Sequence, residues 1–212
     1  GIDLDKWRTD EADTGCLKRE YGLSASNVLV GLVGRLDPRK GQEQFIRAAA
    51  LLGGKYPQAR FLIVGDSPDE KYKMHLRRQS HDLGIEKMVI FTGHRDDIPS
   101  VVGGLDLLVA PSKEESFGLV VIEAMALKKP VIVTNTGAFP EFVSHRITGR
   151  VVNWNDPKGL SEAIEANILN PEESRAMVER AYQLVKERFD LNRTVDRLGD
   201  LYHSLLRQKG LT

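Results

Sequence analysis

From residue 28 onward, short apolar runs alternate with longer stretches whose apolar residues recur at helical spacing. Val28–Val33 is a β-branched run that ends at Gly34. Its brevity and lack of polar residues predict a strand buried on both faces. Residues 42–55 put Phe45, Ala48, Ala49 and Leu52 on one helical face, and Gly53-Gly54 weakens the end. The same reading predicts strands at 60–64, 89–91, 105–110, 130–134 and 150–152. It predicts helices at 70–83, where Met74, Leu76 and Leu83 are the sparse apolar contacts, and at 118–127, with one helical turn at 98–102. After Pro157 the pattern is helical throughout, with helices at 159–169, 172–189 and 192–206. Residues 1–26 show no sustained period and read as a connecting arm.

Short, almost entirely apolar strands separated by helices predict an α/β fold, a Rossmann-like doubly wound parallel sheet of about six strands with a helical C-terminal tail. Sheets of this kind bind ligands outside the carboxyl ends of their strands. The functional residues are therefore expected in five loops: 34–41, 65–68, 91–95, 111–118 and 134–137.

Composition narrows the classes. The 212 residues are 41% hydrophobic and 28% charged, ordinary for a globular domain of this length. Lys+Arg and Asp+Glu balance at 30 each, which argues against a general nucleic-acid surface and leaves room for a local cationic pocket. Cys16 is the sole cysteine, so an intrachain disulfide is impossible and a cysteine-rich metal site is absent, in keeping with a reducing compartment. No apolar run reaches the length of a membrane span, and Glu123 interrupts the longest candidate. No histidine pair has zinc-site spacing with supporting ligands. The first residues lack the basic-then-apolar order of a signal peptide, and the chain does not begin with Met, so it reads as part of a longer product.

Two segments carry chemistry. The loop Gly34-Arg35-Leu36-Asp37-Pro38-Arg39-Lys40-Gly41 follows a strand and feeds a helix. Backbone amides at that helix end, together with Arg35 and Lys40, suit an anion such as a diphosphate. Its spacing is neither a Walker A motif nor a dinucleotide fingerprint, and taken alone it is equally well a solvated basic turn. In the second segment, 111–124, Glu115 lies in a loop and Glu123 within the following helix. Eight positions of continuous helix span roughly 12 Å, so only a loop-then-helix geometry brings both carboxylates to one ligand. Glu123 is the sole charge in 118–127; it is either a buried acid that ligand hydroxyls would satisfy or a residue on a solvated stripe. Gly118 at the helix start allows a ligand close to the backbone.

Together, Gly34-Arg35-Leu36 with Lys40-Gly41, and the segment from Ser112 to Glu123 with its Glu-x7-Glu spacing, closely resemble the C-terminal domain of glycosyltransferase family 4, retaining enzymes of the two-domain GT-B architecture. Supporting matches are Phe61-Leu62-Ile63-Val64-Gly65-Asp66, Val89-Ile90-Phe91-Thr92-Gly93, and Thr136-Gly137-Ala138-Phe139-Pro140-Glu141, and Gly1-Ile2-Asp3 is similar to the interdomain linker. The resemblance covers nearly the whole chain in order. It implies that Arg35 and Lys40 clamp the donor's diphosphate and stabilise the leaving group, with Glu115 on the sugar hydroxyls as the third catalytic residue. It implies that Glu123 binds the ribose, and that Gly34, Ser116, Phe117, Gly118 and Leu119 contribute donor contacts. Gly65, Asp66, Gly93 and His94 would border the base and ribose.

The resemblance further implies a division into a linker arm (1–26), a nucleotide-sugar-binding domain (27–189) and a C-terminal helix (190–212). No cofactor or metal is called for, since Arg35 and Lys40 supply the positive charge, and Asp3-Leu4-Asp5 reads as structural. The expected partners are a nucleotide diphosphate-sugar and a missing N-terminal GT-B domain that holds the acceptor, not a nucleic acid. The fragment alone is expected to be inactive. Val195, Leu198, Leu201, Tyr202 and Leu205 form an apolar stripe on the last helix. That stripe either packs on this domain or is left exposed for self-association. The expected location is cytoplasmic, with peripheral membrane contact of the longer protein left open. A sugar-nucleotide epimerase half-domain and a non-catalytic nucleotide-sugar-binding domain remain as alternatives.

Overall fold

A computed structural model describes residues 1–8 and 15–209. Residues 9–14 of the arm and 210–212 of the tail lie outside the described residues. Six parallel strands form one sheet: β1 (Val28–Val33), β2 (Ala59–Val64), β3 (Val89–Gly93), β4 (Leu107–Ala110), β5 (Val131–Thr134) and β6 (Arg150–Val152). Their spatial order is β3-β2-β1-β4-β5-β6. The fold is α/β and Rossmann-like. The direction of winding reverses between β1 and β4, so their carboxyl ends splay their following loops apart and open a crevice between them.

Among the described residues eight α-helices accompany the sheet: α1 (Cys16–Glu20), α2 (Gln42–Gly53), α3 (Glu70–Asp82), α4 (Ile98–Gly104), α5 (Leu119–Ala126), α6 (Pro157–Leu169), α7 (Pro171–Arg188) and α8 (Leu191–Gln208). Alternation along the strands divides the core into two layers. Leu29, Leu62, Val64, Leu108, Val131 and Val133 point to the layer that holds Leu17, Val101, Val102, Ile122, Met125 and Val185. Val30, Leu32, Phe61, Ile63, Val109 and Ile132 point to the layer that holds Phe45, Ile46, Leu76, Leu160 and Ile164. Burial on both faces is the physical reason these strands lack polar positions.

Three expectations need correction. The buried face of α3 is Tyr72, Leu76 and Ser80, whereas Met74 and Leu83 are exposed. Met74 lies two positions off that stripe, about 200° around the helix. The predicted single turn at 98–102 extends to a seven-residue helix, because Val101 and Val102 are drawn into the core. The arm contains α1, whose Leu17 is fully buried, and Trp7 is buried near it; five residues are too few to show a helical period. Ile2 ties the arm to the junction of α7 and α8: its N–H donates to the Phe189 carbonyl at 2.7 Å and its carbonyl accepts from Leu191 at 2.9 Å. Among the described residues no helix is long and apolar enough to cross a membrane.

Candidate active site

The loop after β1 is built on Asp37. Its carboxylate accepts from the Arg39 backbone N–H at 2.9 Å, which caps the single 3-10 turn Pro38–Lys40. The same carboxylate accepts from Arg39 Nη2 at 2.7 Å and from Arg35 Nη2 at 3.3 Å. The Arg39 side chain and backbone N–H hold the Asp37 carboxyl well below the usual carboxylate range. Asp37 thereby keeps Arg35 and Lys40 on one short, rigid turn at the carboxyl edge of the sheet.

The loop after β4 is held from the β5 side. Ser112 is buried, and its carbonyl accepts from the Thr134 and Thr136 hydroxyls, both at 2.6 Å. The Ala138 N–H donates to the Glu115 carbonyl at 3.0 Å. Gly137 has φ 56°, and a Cβ there would stand 2.1 Å from the Glu115 carbonyl oxygen, so the loop can approach this closely only over a glycine. Gly118, the residue that opens α5, has φ 82°, and a Cβ would meet the Phe139 ring at 2.6 Å. Its N–H donates to Glu115 Oε1 at 3.2 Å, with the Phe117 N–H at 3.5 Å from the same oxygen.

These two loops converge. Lys40 Nζ donates to Glu115 Oε2 at 2.7 Å, with the Lys40 side chain 30% exposed and Glu115 12%. A cleft of about 360 Å³ is lined by Gly34, Arg35, Lys40, Glu115, Ser116, Phe117, Gly118, Leu119 and Glu123, with Val33, Ile98 and Val120. The four charged residues singled out in the sequence thus share one cavity at the winding switch. Arg35 is the most open of them, its side chain 64% exposed and turned to Asp37. Glu123 is half-buried on the inner turn of α5. Burial pushes its carboxyl above the usual glutamate range, with Lys6 partly offsetting this. Its carboxylate lines this ligand-sized space.

A second hollow of about 350 Å³ adjoins the first and shares Val33, Gly34, Arg35 and Ile98 with it. It is lined by Gly65, Asp66, His94 and Arg95. The Gly93 carbonyl accepts from the N–H of Gly65, one of the lining residues, at 2.9 Å. His94 sits on its rim beside Asp96, at 3.1 Å, and Asp66 pairs with Lys73 at 2.9 Å. Of the residues singled out from the sequence, Gly34, Arg35, Lys40, Glu115, Ser116, Phe117, Gly118, Leu119 and Glu123 line the first hollow and Gly65, Asp66 and His94 the second, whereas Gly93 and the Pro140-Glu141 pair line neither. Sequence reading passed over Arg95, whose guanidinium is held by Asp97 at 2.8 Å and Glu20 at 2.5 Å, and Ile98, which walls both hollows. It also passed over Asp37, although an acidic residue immediately before proline at a loop start is a capping signal.

Residues 17–184 match the sequence model of the family described as glycosyl transferases group 1. The chain belongs to that family. Among relatives of this glycosyltransferase chain, the D-inositol 3-phosphate glycosyltransferase of Corynebacterium urealyticum is 33% identical over 213 residues, covering 97% of this chain and 50% of the relative. The N-acetyl-alpha-D-glucosaminyl L-malate synthase of Bacillus anthracis is 32% identical over 191 residues, covering 90% of this chain and 49% of the relative. The group 1 chain thus spans about half the length of the curated relatives it matches. Among solved structures, Anabaena HepE in complex with UDP-glucose superimposes with a TM-score of 0.88 at 30% identity, over 96% of this chain and 56% of HepE. The C-terminal domain of the group 1 protein LpcC from Francisella tularensis superimposes with a TM-score of 0.81 at 28% identity, over 90% of this chain and 100% of that domain.

Proposed function

We propose that this chain is the donor-binding half of a retaining, family 4 glycosyltransferase, and that it grips a nucleotide diphosphate-sugar in the two joined hollows. The observation that carries this reading is the meeting of Arg35, Lys40, Glu115 and Glu123 in one cleft at the switch between β1 and β4. A diphosphate needs fixed positive charge where its negative charge grows as the sugar departs. Lys40 and Arg35 supply that charge, joined by the amide end of α5, and a metal has no necessary part in it. Glu115 and Ser116–Gly118 orient the sugar, Glu123 accepts from the ribose hydroxyls, and the base lies over Gly65, Gly93 and His94. Family membership favours transfer over epimerisation. On this reading the acceptor and the other wall of the cleft belong to an N-terminal half, a reading supported by the chain's spanning only about half the length of the curated relatives it matches.

Titration calorimetry of the 212-residue chain with UDP-glucose, GDP-mannose and ADP-glucose tests the reading. Binding of one of them, weakened at least tenfold by Lys40→Met, is the expected result, together with no transfer to acceptor by the chain alone. Failure of all three to bind removes the assignment.

A further inference from the structure

An acidic side chain occupies the anion-attracting groups of the cleft. Glu115 Oε2 takes the Lys40 ammonium at 2.7 Å, while Oε1 accepts from the Gly118 N–H at 3.2 Å, at the amide end of α5. The Lys40 ammonium and these amides are the groups a diphosphate would use under the donor-site reading, on which this inference rests. The ion pair is enclosed, with Glu115 12% exposed, so neither partner exchanges freely with water.

We propose that Glu115 is a specificity-determining residue that makes the cleft select an intact nucleotide sugar over a free nucleoside diphosphate. A diphosphate that takes Lys40 strips Glu115 of a charge-assisted hydrogen bond and leaves a partly buried carboxylate beside a polyanion. An intact donor carries sugar hydroxyls into the same space, and these donate to the released carboxylate. A free diphosphate has no such group to offer, so the loss stands uncompensated. Asp37, the carboxylate beside Arg35, keeps its Arg39 partner at 2.7 Å when a ligand draws Arg35 away, so it is not stranded as Glu115 is. The exchange of partners at Glu115 therefore lowers the affinity of the spent leaving group more than that of the donor, which favours release after transfer.

The test is calorimetry of the 212-residue chain with UDP, GDP and ADP beside UDP-glucose, GDP-mannose and ADP-glucose. Glu115→Gln keeps the shape and an acceptor for the Gly118 N–H but gives up the ion pair. It is expected to bind the free diphosphate about tenfold more tightly, equivalent to about 1.4 kcal/mol. It should gain nothing for the matching sugar conjugate, so the preference for the conjugate collapses. Glu114→Gln removes the same charge from the exposed neighbouring position and should leave both affinities within about twofold. Thermal unfolding of each variant confirms its fold, and Glu115→Ala must repeat the tightening toward free diphosphate if the Gln variant is unstable.

Unchanged or weaker binding of free diphosphate by these Glu115 variants overturns the proposal. So does an equal gain in Glu114→Gln, which would assign the effect to diffuse charge. A chain in which Lys40→Met weakens every ligand while the Glu115 variants tighten none loses only the selection by Glu115. A wild-type chain that binds none of the six ligands loses the donor site as well.

Discussion

Lys40 and Glu115 stand 75 positions apart in the chain, yet their side chains meet at 2.7 Å and join the loop after β1 to the loop after β4. The contact spans the point where the sheet reverses its winding. Each partner is fixed independently, Lys40 by the turn that Asp37 caps and Glu115 by Gly118, Gly137 and Ala138. The site is thus set before any ligand arrives, as transition-state stabilisation by fixed charge requires.

Replacing Lys40 removes the enclosed cation. Lys40→Met is expected to weaken binding of nucleotide sugars and free diphosphates alike by roughly 10- to 100-fold, the worth of a hydrogen bond to a charged group. It leaves Glu115 without its ion pair, so thermal unfolding should also show a small loss of stability. Calorimetry and differential scanning calorimetry check the two parts.

Glu123 is retained at a cost to the fold. Burial raises its carboxyl above the ordinary value of 4.5, so folding favours the protonated form. The sign follows: no penalty exists at pH below the ordinary glutamate range, and it grows as pH rises through the folded value. Glu123→Gln should raise the Tm of the unliganded chain by about 2 °C at pH 7, an advantage that fades toward pH 4. The same variant should bind donor more weakly. A stability gain that persists unchanged in acid would contradict the stated cause.

Asp37 works in the opposite direction. Its carboxyl is held well below the ordinary value of 3.8 by Arg39, so its contribution is complete above that value and is lost only as pH falls through the lower folded one. Asp37→Ala removes the cap of the Pro38–Lys40 turn and should cost about 1 kcal/mol at neutral pH. It should also weaken donor binding, because Arg35 and Lys40 no longer share a fixed turn. Urea unfolding and ligand titration of this variant measure both effects.

Gly118 tests whether close approach is required. Alanine there would have to adopt φ 82° with its Cβ 2.6 Å from the Phe139 ring. Gly118→Ala is expected to destabilise the chain by about 1–3 kcal/mol and to displace the amide that holds Glu115. Chemical unfolding reads the first effect, and reduced affinity for sugar conjugates reads the second.

The stripe on α8 is exposed along its length: Val195, Leu198, Leu201, Tyr202 and Leu205 all face outward, and the helix buries none of its residues. An apolar strip of this kind is unstable in water without a cover. The isolated chain is expected to self-associate in a concentration-dependent way. Leu201→Asp should restore a monomer in sedimentation with the Tm unchanged, since no core contact is lost.

The strand pattern was legible because a strand buried on both faces admits only apolar residues, and Val28–Val33 or Val131–Thr134 has no other reading. The loops that carry the site were legible for the related reason that a doubly wound sheet exposes ligands only at its carboxyl edge. Arg35, Lys40, Glu115 and Glu123 stood out there as charges in loops or in an apolar helix. The inward face of α3 was misread, since sparse apolar residues leave the choice of stripe to the neighbours it packs on. The helix α1 escaped for want of length, and Arg95 because one of its two carboxylate partners, Glu20, lies 75 positions away in the chain.

By itself, then, the order of residues determined the alternation of elements and the edge of the sheet where Arg35, Lys40, Glu115 and Glu123 gather, because each of these follows from local pattern or chain order. Only the tertiary structure decided that Lys40 neutralises Glu115, that Glu123 lies half-buried in the same cleft, and that the α8 stripe faces outward. Contacts between distant residues depend on how loops close over one another, and no local periodicity encodes that distance.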